Sequence, residues 1–191
     1  MKKLLICLFA LLLVSTGVVF AGSKSVQKSH INFAKKNILI AYYSLSGNTK
    51  YVAEHLQAQI GGDIFEITTK NKYPTEQRLL KEVTKYQNEN DIFPEINNTV
   101  DVSKYDIIFV GTPVWYSTMA MPVKTFLSVN NFKGKTIIPF ITHGGGGWGD
   151  IDIDMDDLSN GRVVQNVFAV QGKGTANLDN DLKKWIKSLK K

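Results

Sequence analysis

Cysteine is all but missing from this chain: Cys7 is the only one in 191 residues, and it lies inside an N-terminal apolar run. That position is too early for the lipidated cysteine of a bacterial lipoprotein, which follows such a run. Beyond the run no thiol remains, so disulfides, thiol catalysis and thiolate metal sites are excluded, and the chain suits an oxidising compartment. Histidine is nearly as scarce. His30, His55 and His143 are too few and too scattered for a metal centre, and no carboxylate pair or Ser-His-Asp arrangement stands out. There is no Arg-rich arm and no basic–aromatic repeat, which argues against nucleic-acid binding. No internal repeat or low-complexity stretch interrupts the chain. These absences leave any chemistry to a cofactor rather than to a side chain.

What is present begins with a targeting pattern. Lys2 and Lys3 precede an apolar stretch over residues 4–21, and Val19, Phe20 and Ala21 stand where a signal peptidase reads, with Gly22 after the cut. Residues 1–21 are expected to be a signal peptide, which puts the protein in the periplasm or outside the cell. The stretch also reaches the lower edge of transmembrane length, so an uncleaved N-terminal anchor is the alternative. Residues 22–36 are polar and basic and read as a tether. About 170 residues follow Ala21, enough for one α/β domain with its own core, and that domain is expected over residues 37–191. The formal net charge of +6 falls to +4 once Lys2 and Lys3 are set aside. Lys183, Lys184 and Lys187 read as the wet face of a terminal helix whose Leu182, Trp185, Ile186 and Leu189 point inward.

Within the domain, apolar strand-like runs at 38–43, 63–67, 107–111, 136–141 and 163–170 alternate with amphipathic segments at 49–60, about 76–89, 121–129, about 151–159 and about 176–190. Regular alternation of this kind predicts an α/β fold, a parallel sheet with helices on both faces. In such sheets a ligand sits beyond the carboxyl ends of the strands, where the strand order reverses. Here the first, third and fourth strands each run into a distinctive loop.

The first loop is Ser44-Leu45-Ser46-Gly47-Asn48-Thr49. It brings backbone N–H groups to the positive end of a helix, with Ser44, Ser46, Thr49 and Asn48 as further donors. A phosphomonoester fits there without a lysine. The G-x-x-x-x-G-K-[ST] form of a triphosphate loop is not present. The same residues also read as an ordinary turn with a Ser/Asn helix cap. The second loop, Thr112-Pro113-Val114-Trp115-Tyr116-Ser117, has a proline expected to stop the strand. Its two aromatics either stack on a flat heterocycle or pack the loop onto the core. Pro122 reads as the first turn of the next helix. The third loop runs Thr142-His143-Gly144-Gly145-Gly146-Gly147-Trp148-Gly149. Four consecutive glycines cost conformational entropy and make sense where backbone approaches a ligand closely or peptides must flip. A flexible linker is the other reading, and His143 is either a ligand contact or a partly exposed loop histidine.

These loops, in this order, resemble the flavodoxins. The closest pattern reads roughly Y-[FY]-S-x-[ST]-G-N-T, then a Tyr-Pro pair, then D-x-I-x-x-G-x-P-x-W. Here it is carried by residues 42–49, Tyr73-Pro74 and residues 106–115, continuing with Pro122, Phe126-Leu127, Gly134-Lys135 and the Gly-rich loop. The resemblance covers about residues 37–190. It implies a flavodoxin-like three-layer α/β/α sandwich with a five-stranded parallel sheet in the order 2-1-3-4-5, and non-covalent FMN. It implies that residues 44–49 hold the FMN phosphate, that residues 112–117 line the isoalloxazine with Trp115 as stacking partner, and that residues 143–147 run along the ring's other edge.

Three features depart from electron-transfer flavodoxins. The chain beyond Ala21 is basic, where they are strongly acidic. The one dense acidic cluster, Asp150, Asp152, Asp154, Asp156 and Asp157, lacks the Gly and distal Glu of a calcium loop and reads as a solvated helix start, with a docking patch near the expected flavin edge as the alternative. The chain carries an export pattern. Residues 70–100 form a long excursion, with Tyr73 either folding over the ligand or packing under the excursion itself. The expected function is an FMN-binding redox protein, an electron carrier outside the cytoplasm working with a redox partner protein or a small acceptor such as a quinone. An FMN-dependent NAD(P)H:quinone-type reductase is the alternative, and a flavin-free binding protein of the same fold is a third reading. Monomer and homodimer both remain open.

Overall fold

The computed structural model describes residues 31–190, so the signal or anchor expected over residues 1–21 lies outside the described residues. Among those described, no helix is long and apolar enough to cross a membrane.

The sheet is built around two strands that are apolar on both faces. In β1 (Ile38–Tyr42) every residue is buried, and β3 (Ile107–Trp115) is buried through its first six positions. Continuous burial of this kind belongs to central strands covered by helices on both sides. β2 (Asp63–Glu66) pairs parallel to the outer edge of β1, and β5 (Thr136–His143) pairs parallel to the far edge of β3. The fifth position is filled by two short pieces. β6 (Arg162–Val163) pairs with the start of β5 and β7 (Phe168–Gln171) with its end. The order of positions is therefore 2-1-3-4-5 as expected, with the strand expected at 163–170 broken in the middle. The break has a physical cause: Asn166 turns its carbonyl out of the sheet to accept from the Trp185 indole at 2.8 Å, and its side chain donates to Ser188.

Helices α1 (Asn48–Ile60) and α5 (Leu178–Leu189) cover one face. Val52, Ala53 and Leu56 of α1 and Leu178, Leu182, Trp185, Ile186 and Leu189 of α5 meet Ile38, Ile40, Phe109, Ile138 and Phe140 of the sheet. On the other face α3 (Met121–Val129) and α4 (Ile151–Leu158) place Val123, Phe126, Leu127, Ile151 and Met155 against Leu39, Ala41, Ile108, Val110, Ile137 and Ile141. Alternate strand residues thus serve opposite layers, as the two-residue period of a strand requires. The acidic cluster opens α4, with Asp152 and Asp154 in its first turn, where carboxylates favour the helix dipole. Helix α2 (Gln77–Glu89), capped by the Glu76 carboxylate on the N–H groups of Arg78 and Leu79, belongs to the long excursion. The excursion closes on itself where Thr69 pairs with Ile96.

Two expectations change. The fold begins ahead of residue 37. Ile31 is buried and its N–H donates to Leu189 O at 2.9 Å, while Phe33 stacks on Phe109. The sequence hid this because the neighbours Asn32, Ala34, Lys35 and Lys36 are exposed. Pro113 also does not stop β3. Odd residues of β3 face β1, as shown by Gly111 O accepting from Tyr43 N, and β1 ends opposite Gly111. The pairing with β1 therefore stops at Pro113, which has no N–H to continue it, while the pairing with β5 runs on to Thr142 and carries the strand past the proline. The strand runs on to Trp115 and turns back into β4 (Thr118–Met119), an antiparallel hairpin.

Candidate functional site

The three loops collect at the carboxyl ends of β1, β3 and β5. The first turns on Gly47, which takes the left-handed conformation (φ 85°) that a side chain resists. Its carbonyl accepts from Tyr51 N, so the N–H groups ahead of Tyr51 have no partner within α1, and no side chain caps them. Ser44 is half-buried, and its Oγ is shut from solvent without a hydrogen-bond partner. Ser46 and Gly47 are exposed and Asn48 is half-exposed beside them. An unmet buried hydroxyl beside the uncapped positive end of a helix can hold an anion, and few other arrangements explain its cost. Thr49 is different. It is buried, and its Oγ1 lies 2.9 Å from Thr142 Oγ1, tying the first loop to the third. Leu45, whose side chain carries no donor, is exposed.

The second loop is a two-residue hairpin with Tyr116 (φ 51°) and Ser117 (φ 64°) at its tip. Both stand in the left-handed region that non-glycine residues enter at a cost. Other contacts hold the tip there. The Tyr116 hydroxyl lies 3.0 Å from Lys81 O, to which it donates, and 3.1 Å from Thr84 Oγ1, both in α2. The Thr118 hydroxyl donates to the Asp154 carboxylate in α4. Thr112 is fully buried, accepting from Ala120 N and donating to Pro113 O, so its side chain braces the hairpin from inside. Pro113 and Val114 are partly buried. Trp115 packs edge-on against Tyr43 (5.6 Å between ring centroids) and Tyr73 (5.3 Å). Tyr73 therefore packs beside Trp115 rather than under the excursion alone, with its hydroxyl donating to Gln87 of α2 at 2.6 Å. Burial pushes the Tyr43 phenol far above its ordinary range, with the neighbouring Tyr73 adding to it, and raises Tyr73 to about 12. The cluster stays neutral across physiological pH.

In the third loop the His143 Nδ1 accepts from Gly145 N at 3.1 Å, which leaves the ring proton on Nε2. Gly144, Gly145 and Gly146 are exposed and Gly147 is half-exposed. Gly149 explains part of the glycine content. A Cβ there would stand 2.7 Å from the Ser117 carbonyl oxygen, so the third loop presses on the hairpin tip. The structure thus brings all three predicted loops together. It adds Tyr43, which sequence reasoning had not placed in the site, and sets Tyr73, for which a place over the ligand was one of two readings, against Trp115.

The family model described as flavodoxin matches residues 37–189. The chain belongs to the flavodoxin family. Among solved structures, this flavodoxin-family chain is similar to a protein from Bacteroides eggerthii DSM 20697 assigned as a flavoprotein. The two are 26% identical at a TM-score of 0.66, over 81% of this chain and 98% of that one. It is also similar to a flavoprotein from Lactobacillus acidophilus NCFM solved in complex with FMN, at 25% identity and a TM-score of 0.62, over 79% of this chain and 99% of the other. A flavodoxin from the domain Archaea, 20% identical at a TM-score of 0.51 over 81% of this chain and 94% of its own, shares the fold. No curated protein matches the chain.

Proposed function

We propose that this flavodoxin-family protein binds FMN and carries electrons outside the cytoplasm. The observation that carries the cofactor reading is the Ser44 hydroxyl, buried without a partner beside the uncapped N-terminus of α1. A phosphomonoester dianion there satisfies Ser44, the first-turn N–H groups and the exposed Ser46 and Asn48 together. Family membership and the FMN-bound relative support the same cofactor.

FMN, when bound, supplies the electron-transfer chemistry. The chain supplies position and environment. Trp115, buttressed edge-on by Tyr43 and Tyr73, offers a fixed aromatic face. The exposed backbone at Gly144 and Gly146 offers N–H groups for the polar edge of a ring, the Gly145 N–H being held by His143 Nδ1, and Nε2–H of His143 is a further donor. Export is supported by Lys2 and Lys3 ahead of the apolar residues 4–21.

The test is an absorbance spectrum of the chain from residue 22 onward, supplied with FMN and reduced stepwise. Bound flavin reduced in one-electron steps is the expected result. Bound flavin passing straight through a two-electron step supports a reductase, to be followed by NAD(P)H:quinone turnover. No bound flavin overturns the cofactor assignment.

A further inference from the structure

The end of the sheet where the strands begin lies opposite the three loops, about 20 Å away along β3. The chain enters the fold there. Ile31 is pinned into the core beside the last turn of α5 through its bond to Leu189 O. Lysines gather at the same end. Lys187 and Lys190 lie in and just after that last turn, Lys35 and Lys36 precede β1, Lys104 precedes β3, and Lys133 precedes β5. Three carboxylates of this end are already engaged, and Asp156 and Asp157, in the last turn of α4, stand exposed beside them. Asp106 takes Lys36 and the Asn37 N–H, Asp101 takes Ser103 and Lys104, and Asp63 accepts from Tyr105. Lys35, Lys133 and Lys187 are exposed and have no ion pair among the described residues. The acids Asp150, Asp152 and Asp154 lie at the opposite end, where α4 begins.

The geometry points to this basic end as a docking surface for an anionic lipid bilayer, which the domain meets with its three loops facing away from the membrane. The field argument is direct. Positive charge at the base is drawn to anionic headgroups while the acidic start of α4 is repelled, so the two ends fix the orientation together. The chain outside the described residues argues for a bilayer rather than another acidic partner. The apolar residues 4–21 are separated from Ile31 by residues 22–30, which include Lys24 and Lys28 and span at most about 30 Å when fully extended. Whatever that apolar run inserts into lies close to the lysine-bearing end. The attraction itself comes from lysines of the described residues and does not rest on the flavin reading; residues 4–21 bear only on the choice of a bilayer as the partner.

The experiment uses the chain from residue 22 onward. Both core clusters lie within residues 31–189, so this chain holds the complete domain. Sedimentation with phosphatidylcholine vesicles is compared with sedimentation on vesicles containing phosphatidylglycerol, at low and high salt. Binding is expected only to the anionic vesicles, weakening as salt rises. The double variant Lys133→Glu/Lys187→Glu is expected to lose at least about tenfold in vesicle affinity. The variant Lys72→Glu/Lys85→Glu has the same net charge but is changed on the excursion, and it keeps most of its affinity. Equal losses in the two variants, binding regardless of lipid charge, or no binding to anionic vesicles at low salt each overturn the proposal. FMN binding measured on the same samples reports independently on folding and on the cofactor reading.

Discussion

The hydroxyls of Thr49 and Thr142 meet at 2.9 Å in the interior, one on the first turn of α1 and one near the end of β5. Each hydroxyl has the other as its hydrogen-bond partner, so removing one leaves the other buried and unmet, at a cost of about 1–2 kcal/mol. Thr142→Val is expected to lower the melting temperature by on the order of 5 °C for a domain of this size. Thr49→Val/Thr142→Val should recover most of that loss, because neither orphan remains. Thermal unfolding of the three variants measures the coupling; strictly additive losses would mean the two hydroxyls do not act as a pair.

Ser44 should behave in the opposite way. Its Oγ is buried without a partner in the protein alone, so Ser44→Ala is expected to leave the flavin-free protein as stable as before or stabilise it by about 1 kcal/mol. FMN affinity should fall by about tenfold, the value of one charge-assisted hydrogen bond. Ser46→Asp sets a carboxylate beside the same site and should weaken FMN by on the order of 100-fold. Fluorescence titration with FMN measures both, and unchanged affinity in Ser46→Asp would remove the first loop from the phosphate site.

Much of this was legible in the sequence because it is local. The continuous apolar run of β1, the Gly47 turn and the periodic spacing of Val52 and Leu56 are each set within a few residues, and they placed the first loop and its helix. What was hidden is held by distant partners. β7 is cut from β6 by an indole on α5. Val163 to Phe168 otherwise read as one strand, and nothing local marks the break. The hairpin tip carries none of the Asn-Gly or Gly-X chemistry that announces such turns. It forms because α2 and α4 hold it, through Tyr116 and Thr118. Tyr73 joined Trp115 only once the excursion had folded back. Ile31 and Phe33 looked like tether because the residues around them are polar, and only the contacts to Leu189 and Phe109 place them in the core.

The hairpin tip makes a prediction with two signs. Ser117 holds φ 64° without a glycine, so Ser117→Gly is expected to stabilise the domain by about 0.5–1 kcal/mol as the left-handed cost is removed. Gly149→Ala adds a Cβ 2.7 Å from the Ser117 carbonyl oxygen at a φ of 59°. It should destabilise by about 2 kcal/mol and shift the hairpin that carries Trp115. Urea unfolding gives the two stabilities. The spectrum and potential of bound flavin should move in Gly149→Ala if Trp115 lines the ring, and identical values would take Trp115 out of the site.

Tyr73 sets a pH limit on the fold. Burial raises its phenol from an ordinary value of 10.0 to about 12, with the Gln87 hydrogen bond working in the opposite direction. The folded state therefore holds this proton more tightly than the unfolded chain. The resulting stability is fully present below pH 10 and is lost progressively as the pH rises from about 10 to about 12, because the unfolded chain releases the proton first. Tyr42 and Tyr43 are displaced in the same direction, chiefly by burial, and they steepen the decline. Tyr73→Phe should flatten the fall in unfolding free energy between pH 10 and 12, measured by urea titration at half-unit steps. At pH 7 it should cost only the Gln87 bond, about 1 kcal/mol. A slope unchanged from the parent protein would show that Tyr73 ionises as readily folded as unfolded, and that the ring cluster at the hairpin admits water.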